Sequence, residues 1–264
     1  MNENTPAEKI SGENITAAAP LLQADRLTRR FGGLTAVGNL SLDLRIGELH
    51  AVIGTNGAGK STLINMLSGE TAPTAGTIRL DGNDVTNWPQ HARARAGIGR
   101  SYQRTTIFPS FTAFENCRLA AQAHAQKPWR LWQAAGSCEH STGVAGRVLD
   151  IAGLAGAAGK IAGSLSHGQK RQLEIAMCLA TDPRVLLLDE PLAGMGAEES
   201  ERMLSLLERL RQSHGVLLVE HDMDAVFRVA DKITVMVNGL VIASDTPEKI
   251  RANREVQVAY LGEH

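Results

Sequence analysis

The run Gly54-Thr55-Asn56-Gly57-Ala58-Gly59-Lys60-Ser61 has the spacing G-x-x-x-x-G-K-[ST]. Residues of these types at this spacing suit one task, the holding of a polyphosphate. Glycines let the backbone turn through positive φ, so that several N–H groups point at one anion. Lys60 supplies a point charge for the β and γ phosphates, and the Ser61 hydroxyl can ligate Mg²⁺. A helix starting near Gly59 aims its positive end at the same place. The predicted nucleotide contacts are therefore Asn56, Gly57, Ala58, Gly59, Lys60, Ser61 and Thr62. A second group of residues suits the same chemistry. Val185 to Glu190 reads VLLLDE, an apolar run closed by two carboxylates. Asp189 is placed to hold Mg²⁺ and Glu190 to polarise an attacking water as general base.

Both motifs need strands and helices to position them, and the chain has the right pattern. ELHAVI (Glu48 to Ile53) is a buried strand leading into the Gly-rich loop, and STLINMLSG is the helix leaving it. Before these, LLQADRLTRRF (Leu21 to Phe31) reads as a strand ending at Gly32-Gly33. SLDLRI (Ser41 to Ile46) alternates as a half-buried strand, and TIRLDG (Thr77 to Gly82) is another. From about Phe111 to Ala162 the chain is rich in Ala and Gly. FENCRLAAQAHAQ and GRVLDIAGLAG read as helices there, and Trp129 and Trp132 share one helix face. From Gly168 helices alternate with the apolar runs VLLLDE, VLLVEH and KITVMVNG, which predicts parallel βαβ units. The motifs thus sit on a P-loop NTPase core. No N-K-x-D guanine reader is present, and a nucleotide kinase remains open at this point.

Composition narrows the function classes. Among 264 residues, 27 Lys+Arg against 28 Asp+Glu leave a net charge of −1, which argues against nucleic-acid binding by bulk charge. Aromatic residues are 4%, too few for a base-stacking platform. Cys117, Cys138 and Cys178 form neither a CxxC pair nor an even set, so neither a zinc site nor a disulfide framework is expected. No apolar run approaches the ~18 residues of a membrane span. Residues 1–20 lack a basic and then apolar leader and read as a polar tail. A cytoplasmic protein is predicted, with membrane association only through a partner.

Leu165-Ser166-His167-Gly168-Gln169 resembles the LSGGQ signature of ATP-binding cassette (ABC) proteins, and it precedes VLLLDE at a helix start as it does in that family. The resemblance runs from about Leu21 to Gly262. It implies an α/β cassette, with a β-rich N-terminal subdomain, a RecA-like, mostly parallel sheet core and an inserted α-helical subdomain at about 111–165. Residues 21–264 would form that ATP-binding domain. It further implies ATP and Mg²⁺ as ligands. Ser166, Gly168 and Gln169 would form a second anion-binding surface facing the nucleotide of another subunit. Gln103 looks like the Q-loop glutamine that senses γ-phosphate and metal. His221 looks like the switch histidine, and Phe31 stands where a ring stacks on adenine, with Val37 as a further adenine neighbour.

The wording LSHGQKRQLEIAM, LLLDEPLAGM, LLVEHDMDAVF and the closing VAYLG is similar to the ATP-binding subunits of branched-chain (hydrophobic) amino acid importers, which also include amide and urea systems. The stretch from about Ala120 to Lys160 fits the longer of their two ATPase subunits. That resemblance implies two membrane permeases, a shorter ATPase subunit or a second copy of this chain as dimer partner, and indirectly an extracytoplasmic substrate-binding protein. It implies no nucleic acid, and a peripheral place on the cytoplasmic face of the inner membrane. Residues near Arg104 to Glu115 would meet the permease. An exporter or lipid-extraction subunit, or a non-transport ABC ATPase, is the alternative. Two departures stand out. His167 replaces a signature glycine, and Gly196 stands where Asp or Asn reaches across the dimer.

Overall fold

The computed structural model describes residues 19–102, 106–125 and 139–261. Chain order begins with a hairpin, β1 (Leu22–Phe31) and β2 (Leu34–Leu44), turning at Gly32, where φ is 57°. The predicted strand from Ser41 is the last part of this longer β2. Then come β3 (Leu49–Gly54) and α1 (Lys60–Ser68), β4 (Ala75–Leu80) and β5 (Asn83–Asp84), α2 (Gln90–Arg95) and β6 (Ile98–Arg100). The helical insertion holds α3 (Ala113–Ala125) and α4 (Glu139–Ile151). The chain continues with α5 (His167–Leu179), β7 (Val185–Asp189), α6 (Ala197–Arg211), β8 (Gly215–Val219) and α7 (Met223–Val229). It ends with β9 (Lys232–Val237), β10 (Leu240–Asp245), α8 (Pro247–Ala252), α9 (Arg254–Val256) and a π-helical turn over Gln257–Leu261.

Two sheets form. One is antiparallel, in the order β2-β1-β4-β5. The other runs β10-β9-β3-β8-β7-β6, with β9, β3, β8, β7 and β6 parallel and β10 antiparallel at the edge. Strand β7 shows why VLLL is apolar throughout. Val185 and Leu187 pack into the core around α1 and the antiparallel sheet, while Leu186 and Leu188 pack into the core shared with α5 and α6. Both faces of a parallel sheet are covered, so alternation disappears. The α/β cassette expected from sequence is present.

The helical insertion leaves and rejoins the core at one place. Thr112 and Ile161 form an isolated antiparallel bridge. Ala113 N donates to Lys160 O, and Ala162 N to Phe111 O. Trp129 and Trp132, expected on one helix face, lie outside the described residues, as does Cys138. Strands β6 and β10 and helix α2 have no counterpart in the sequence reading. Strand β10 follows an Asn238-Gly239 turn whose φ angles are 49° and 81°, the mirror-image turn that matches strand twist. Among the described residues, no helix is long and apolar enough to cross a membrane.

Helix α1 is held at its far end by Arg93 of α2, which is 1% exposed. Its guanidinium donates to the carbonyls of Met66 at 2.7 Å and Leu67 at 2.9 Å, and also to Thr86 O at 2.8 Å. These carbonyls lie in the last turn of α1, where a helix leaves its acceptors short of partners, and a cation there complements the helix dipole. The opposite end of α1 is thereby fixed toward the loop Gly54 to Gly59.

Candidate functional site

The loop between β3 and α1 is shaped by its glycines. At Gly59, φ is 100°, and an added Cβ would lie 2.2 Å from the Ala36 carbonyl. At Gly54 an added Cβ would lie 2.2 Å from the Met236 carbonyl. The loop is pressed against its neighbours and can only be glycine at these points. It floors a cavity of about 700 Å³ lined by Phe31, Asn56 to Thr62 and Glu190, together with Leu34, Thr35, Ala36 and Asn238. Every residue expected of the phosphate loop faces this one space.

Lys60 is 7% exposed, and its ammonium folds back to the loop, donating to Gly54 O at 2.7 Å and Thr55 O at 3.1 Å. Burial lowers its pKa, while Glu190 and Asp189 act in the opposite sense. A phosphate arriving here would find a buried cation already held against the loop.

Asp189 closes β7 and is 3% exposed. Its Oδ1 is buried with no hydrogen-bond partner. Burial, and secondarily Glu190, raises its pKa. An orphaned carboxylate oxygen beside a phosphate loop suits a divalent cation, whose charge would relieve both the orphan and the desolvation. Ser61, exposed at the start of α1, offers the hydroxyl for the same ion. Glu190 sits at φ 49°, a left-handed conformation that a non-glycine residue adopts only when its surroundings impose it. Its N–H donates to Val219 O, and its carboxylate reaches the cavity. His221 Nδ1 lies 3.8 Å from Glu190 Oε1, near but not hydrogen-bonded.

Phe31 is 49% exposed, with the Arg29 guanidinium 4.5 Å from its ring centroid. Phe31 borders the cavity. Val37 does not border it. That side chain is fully buried beneath the loop, with a methyl 3.2 Å from where a Gly59 Cβ would be. Leu34, Thr35 and Ala36 line the cavity instead. Gln103 lies outside the described residues.

Ser166, Gly168 and Gln169 do not join this cavity. Ser166 caps α5: its Oγ accepts from Gln169 N at 3.2 Å, and the Gln169 amide oxygen accepts from Ser166 N at 3.2 Å. This reciprocal pair leaves the Ser166 hydroxyl proton for another acceptor. The His167 ring Nε2 donates to Ala193 O at 3.0 Å, tying the signature to the turn after Glu190. Gly196 begins α6 without a side-chain cap.

Sequence reasoning missed three groups. Glu220, at 0% exposure, accepts from Leu192 N at 2.8 Å and His221 N at 3.2 Å, bridging the turn after Glu190 to the His221 backbone. Burial raises its pKa. Arg171 and Glu174, one turn apart on α5, hold both flanks of the segment around Gln103. Arg171 Nη1 donates to Tyr102 O at 2.8 Å, and Glu174 Oε1 accepts from Thr106 N at 2.9 Å. A carboxylate after an apolar run and charges at helical spacing were visible, but nothing local said they were buried.

Comparison with known proteins follows the same lines. The family profile "ABC transporter" matches residues 37–193, and "Branched-chain amino acid ATP-binding cassette transporter" matches residues 241–264. The chain is 41% identical over 251 residues to the high-affinity branched-chain amino acid transport ATP-binding protein BraF of Pseudomonas aeruginosa, spanning 92% of this chain and 98% of that protein. It is 40% identical over 253 residues to the high-affinity branched-chain amino acid transport ATP-binding protein LivG of Escherichia coli K12, with the same coverage. A crystal structure of the ADP conformation of an ATP-binding cassette of an ABC transporter superimposes with a TM-score of 0.83. It shares 27% identity and covers 93% of this chain and 100% of that one.

Proposed function

This chain belongs to the ABC transporter family, as a transport ATPase subunit of the branched-chain amino acid branch, and on that premise we propose how its residues spend ATP. The nucleotide lies in the 700 Å³ cavity, its base against Phe31 and its phosphates over the N–H groups of Asn56 to Thr62. Lys60 turns its ammonium from the loop carbonyls to the β and γ phosphates. Ser61 and Asp189 would hold Mg²⁺, which would supply positive charge beside the phosphate oxygens. Glu190 takes a proton from water as its oxygen attacks the γ-phosphorus, and ADP leaves. His221 orients the γ-phosphate and is kept in place by Glu220.

The ATP in each site is closed over by the Ser166–Gly168 face of a second subunit, either the shorter ATPase relative or another copy. Helix α5 then carries closure outward. Its Ser166 end meets the nucleotide, while Arg171 and Glu174 grip both sides of the Gln103 segment. Next to that segment Phe108 and Phe111 stack at 5.7 Å and are exposed at 51% and 40%, an apolar surface suited to a permease loop. The subunit works at the cytoplasmic face of the inner membrane, bound to two permeases that receive amino acids from an external binding protein.

The observation that carries this reading is the convergence of the phosphate loop, Phe31 and Glu190 on one cavity, with His221 Nδ1 3.8 Å from Glu190 Oε1. The Glu190→Gln variant of the assembled transporter tests it. ATP binding is retained and turnover falls by ~10² or more, the loss expected for a general base. Turnover near that of the unaltered protein would remove Glu190 from this role.

A further inference from the structure

The face that Ser166 and Gly168 present has two donors, one hydroxyl proton and one amide proton. The hydroxyl proton is already in use within this chain. Ser166 Oγ donates to Glu199 Oε1 at 2.7 Å, which brings that carboxylate against Gly168. Glu199 lies on the first turn of α6. The approach is close: a Cβ at Gly168 would lie 2.6 Å from Glu199 Cδ and 2.8 Å from Oε1. A carboxylate therefore sits where the reading above brings a γ-phosphate from the other subunit.

The two occupants cannot share the hydroxyl proton. A serine hydroxyl carries a single proton, and the Ser166 oxygen already accepts from Gln169 N. A phosphate oxygen can take that proton only after Glu199 releases it. After release, Glu199 still carries its negative charge on a neighbouring helix, beside an incoming triphosphate. We propose that Glu199 is a positioning residue that occupies the signature face in the open state and sets the ATP concentration at which two subunits close. The proposal rests on the signature face meeting the partner's nucleotide. A bond that merely held α6 against α5 would give the opposite result, because its loss would loosen the face and weaken closure.

The test uses the full transporter in proteoliposomes, with Glu199→Ala and Glu199→Gln in this chain and Ser166→Ala in parallel. Both Glu199 variants should lower the KM for ATP by about two- to five-fold, the scale of a solvent-screened charge contact. Their kcat should stay within about twofold. Ser166→Ala should raise the KM or cut turnover. An unchanged or raised KM in both Glu199 variants, with Ser166→Ala impaired, overturns the role of Glu199 alone. If Ser166→Ala is also without effect, the signature face does not meet nucleotide, and both readings fall. Thermal melting of each variant separates these outcomes from loss of fold.

Discussion

The phosphate loop and the signature helix both present backbone N–H groups at a helix start, yet a methyl group added to each would meet very different neighbours. At Gly59 it would strike a backbone carbonyl 2.2 Å away, from a residue held at φ 100°. At Gly168 it would strike the Glu199 side chain, with the backbone in an ordinary helical conformation. The loop proposed to hold nucleotide within the subunit is fixed by main chain pressed on main chain. The face proposed to meet another subunit is held by side chains that can turn away. On that proposal, preorganisation is concentrated where the anion binds within one chain, and adjustability where binding needs a second.

The largest test of that contrast is the pair Gly59→Ala and Gly168→Ala. Positive φ in an alanine costs about 1–2 kcal/mol by itself. With the Ala36 overlap, Gly59→Ala should lose about 3 kcal/mol or more of stability, together with nucleotide binding. Gly168→Ala should lose about 1 kcal/mol or less, because Glu199 can move. Urea unfolding of the two variants measures both, and equal losses would break the comparison.

Acid should expose the next difference. The phosphate loop hangs from β3, and His50 of β3 is buried between Asp43 O at 3.2 Å and Thr234 Oγ1 at 2.8 Å. The carbonyl can only accept, so Nδ1 donates to it. Burial lowers the His50 pKa to about 4. Between about pH 6.5 and 4 the unfolded chain binds the proton that the folded one refuses. The contribution of His50 is therefore complete above pH 6.5 and is lost as pH falls, by on the order of 3 kcal/mol across the window. Glu48, whose pKa is raised by burial, acts in the opposite sense. Comparing the pH dependence of unfolding with that of His50→Gln isolates the histidine, whose variant should show the shallower acid loss. Parallel curves would remove β3 as the acid-sensitive anchor.

The smallest effect lies at Gly196. It starts α6 at φ −76° and ψ 167°, with no side-chain cap and open space around its Cβ position. Gly196→Asn should stabilise by about 0.5–1 kcal/mol, through a new cap and a less flexible unfolded chain. A melting temperature that stays level or falls would show that α6 needs its present looseness.

Much of this was legible because local pattern and tertiary role agree. The phosphate loop is contiguous, and VLLLDE is buried on both faces, so sequence alone placed Lys60, Ser61, Asp189 and Glu190. Phe31 was named only through the family resemblance, and it does border the cavity. The failures have physical causes. β6 is three residues long and gains its strand character only by pairing with β7. β10 was signalled by Asn238-Gly239 and overlooked, since LVIASD alone is a weak strand. Val37 was expected beside adenine, but strand alternation turns it inward under Gly59. Glu199 and Glu220 look like ordinary solvated acids until the fold brings α6 to Ser166 and closes the core over the end of β8.

The order of the parallel sheet also sets a timetable for synthesis. β3 carries the phosphate loop but pairs on one side with β8 and on the other with β9, Leu49 against Val216 and His50 against Lys232. When a ribosome has made the loop, neither neighbour exists. At ordinary elongation rates β3 waits roughly ten to thirty seconds for them, an apolar strand with both edges bare. During that interval the growing chain has the phosphate-binding residues but no site. A chain that stops before β9 therefore has the phosphate-binding residues without the sheet that positions them, and nucleotide could not stabilise it as it would a chain that includes β8 and β9.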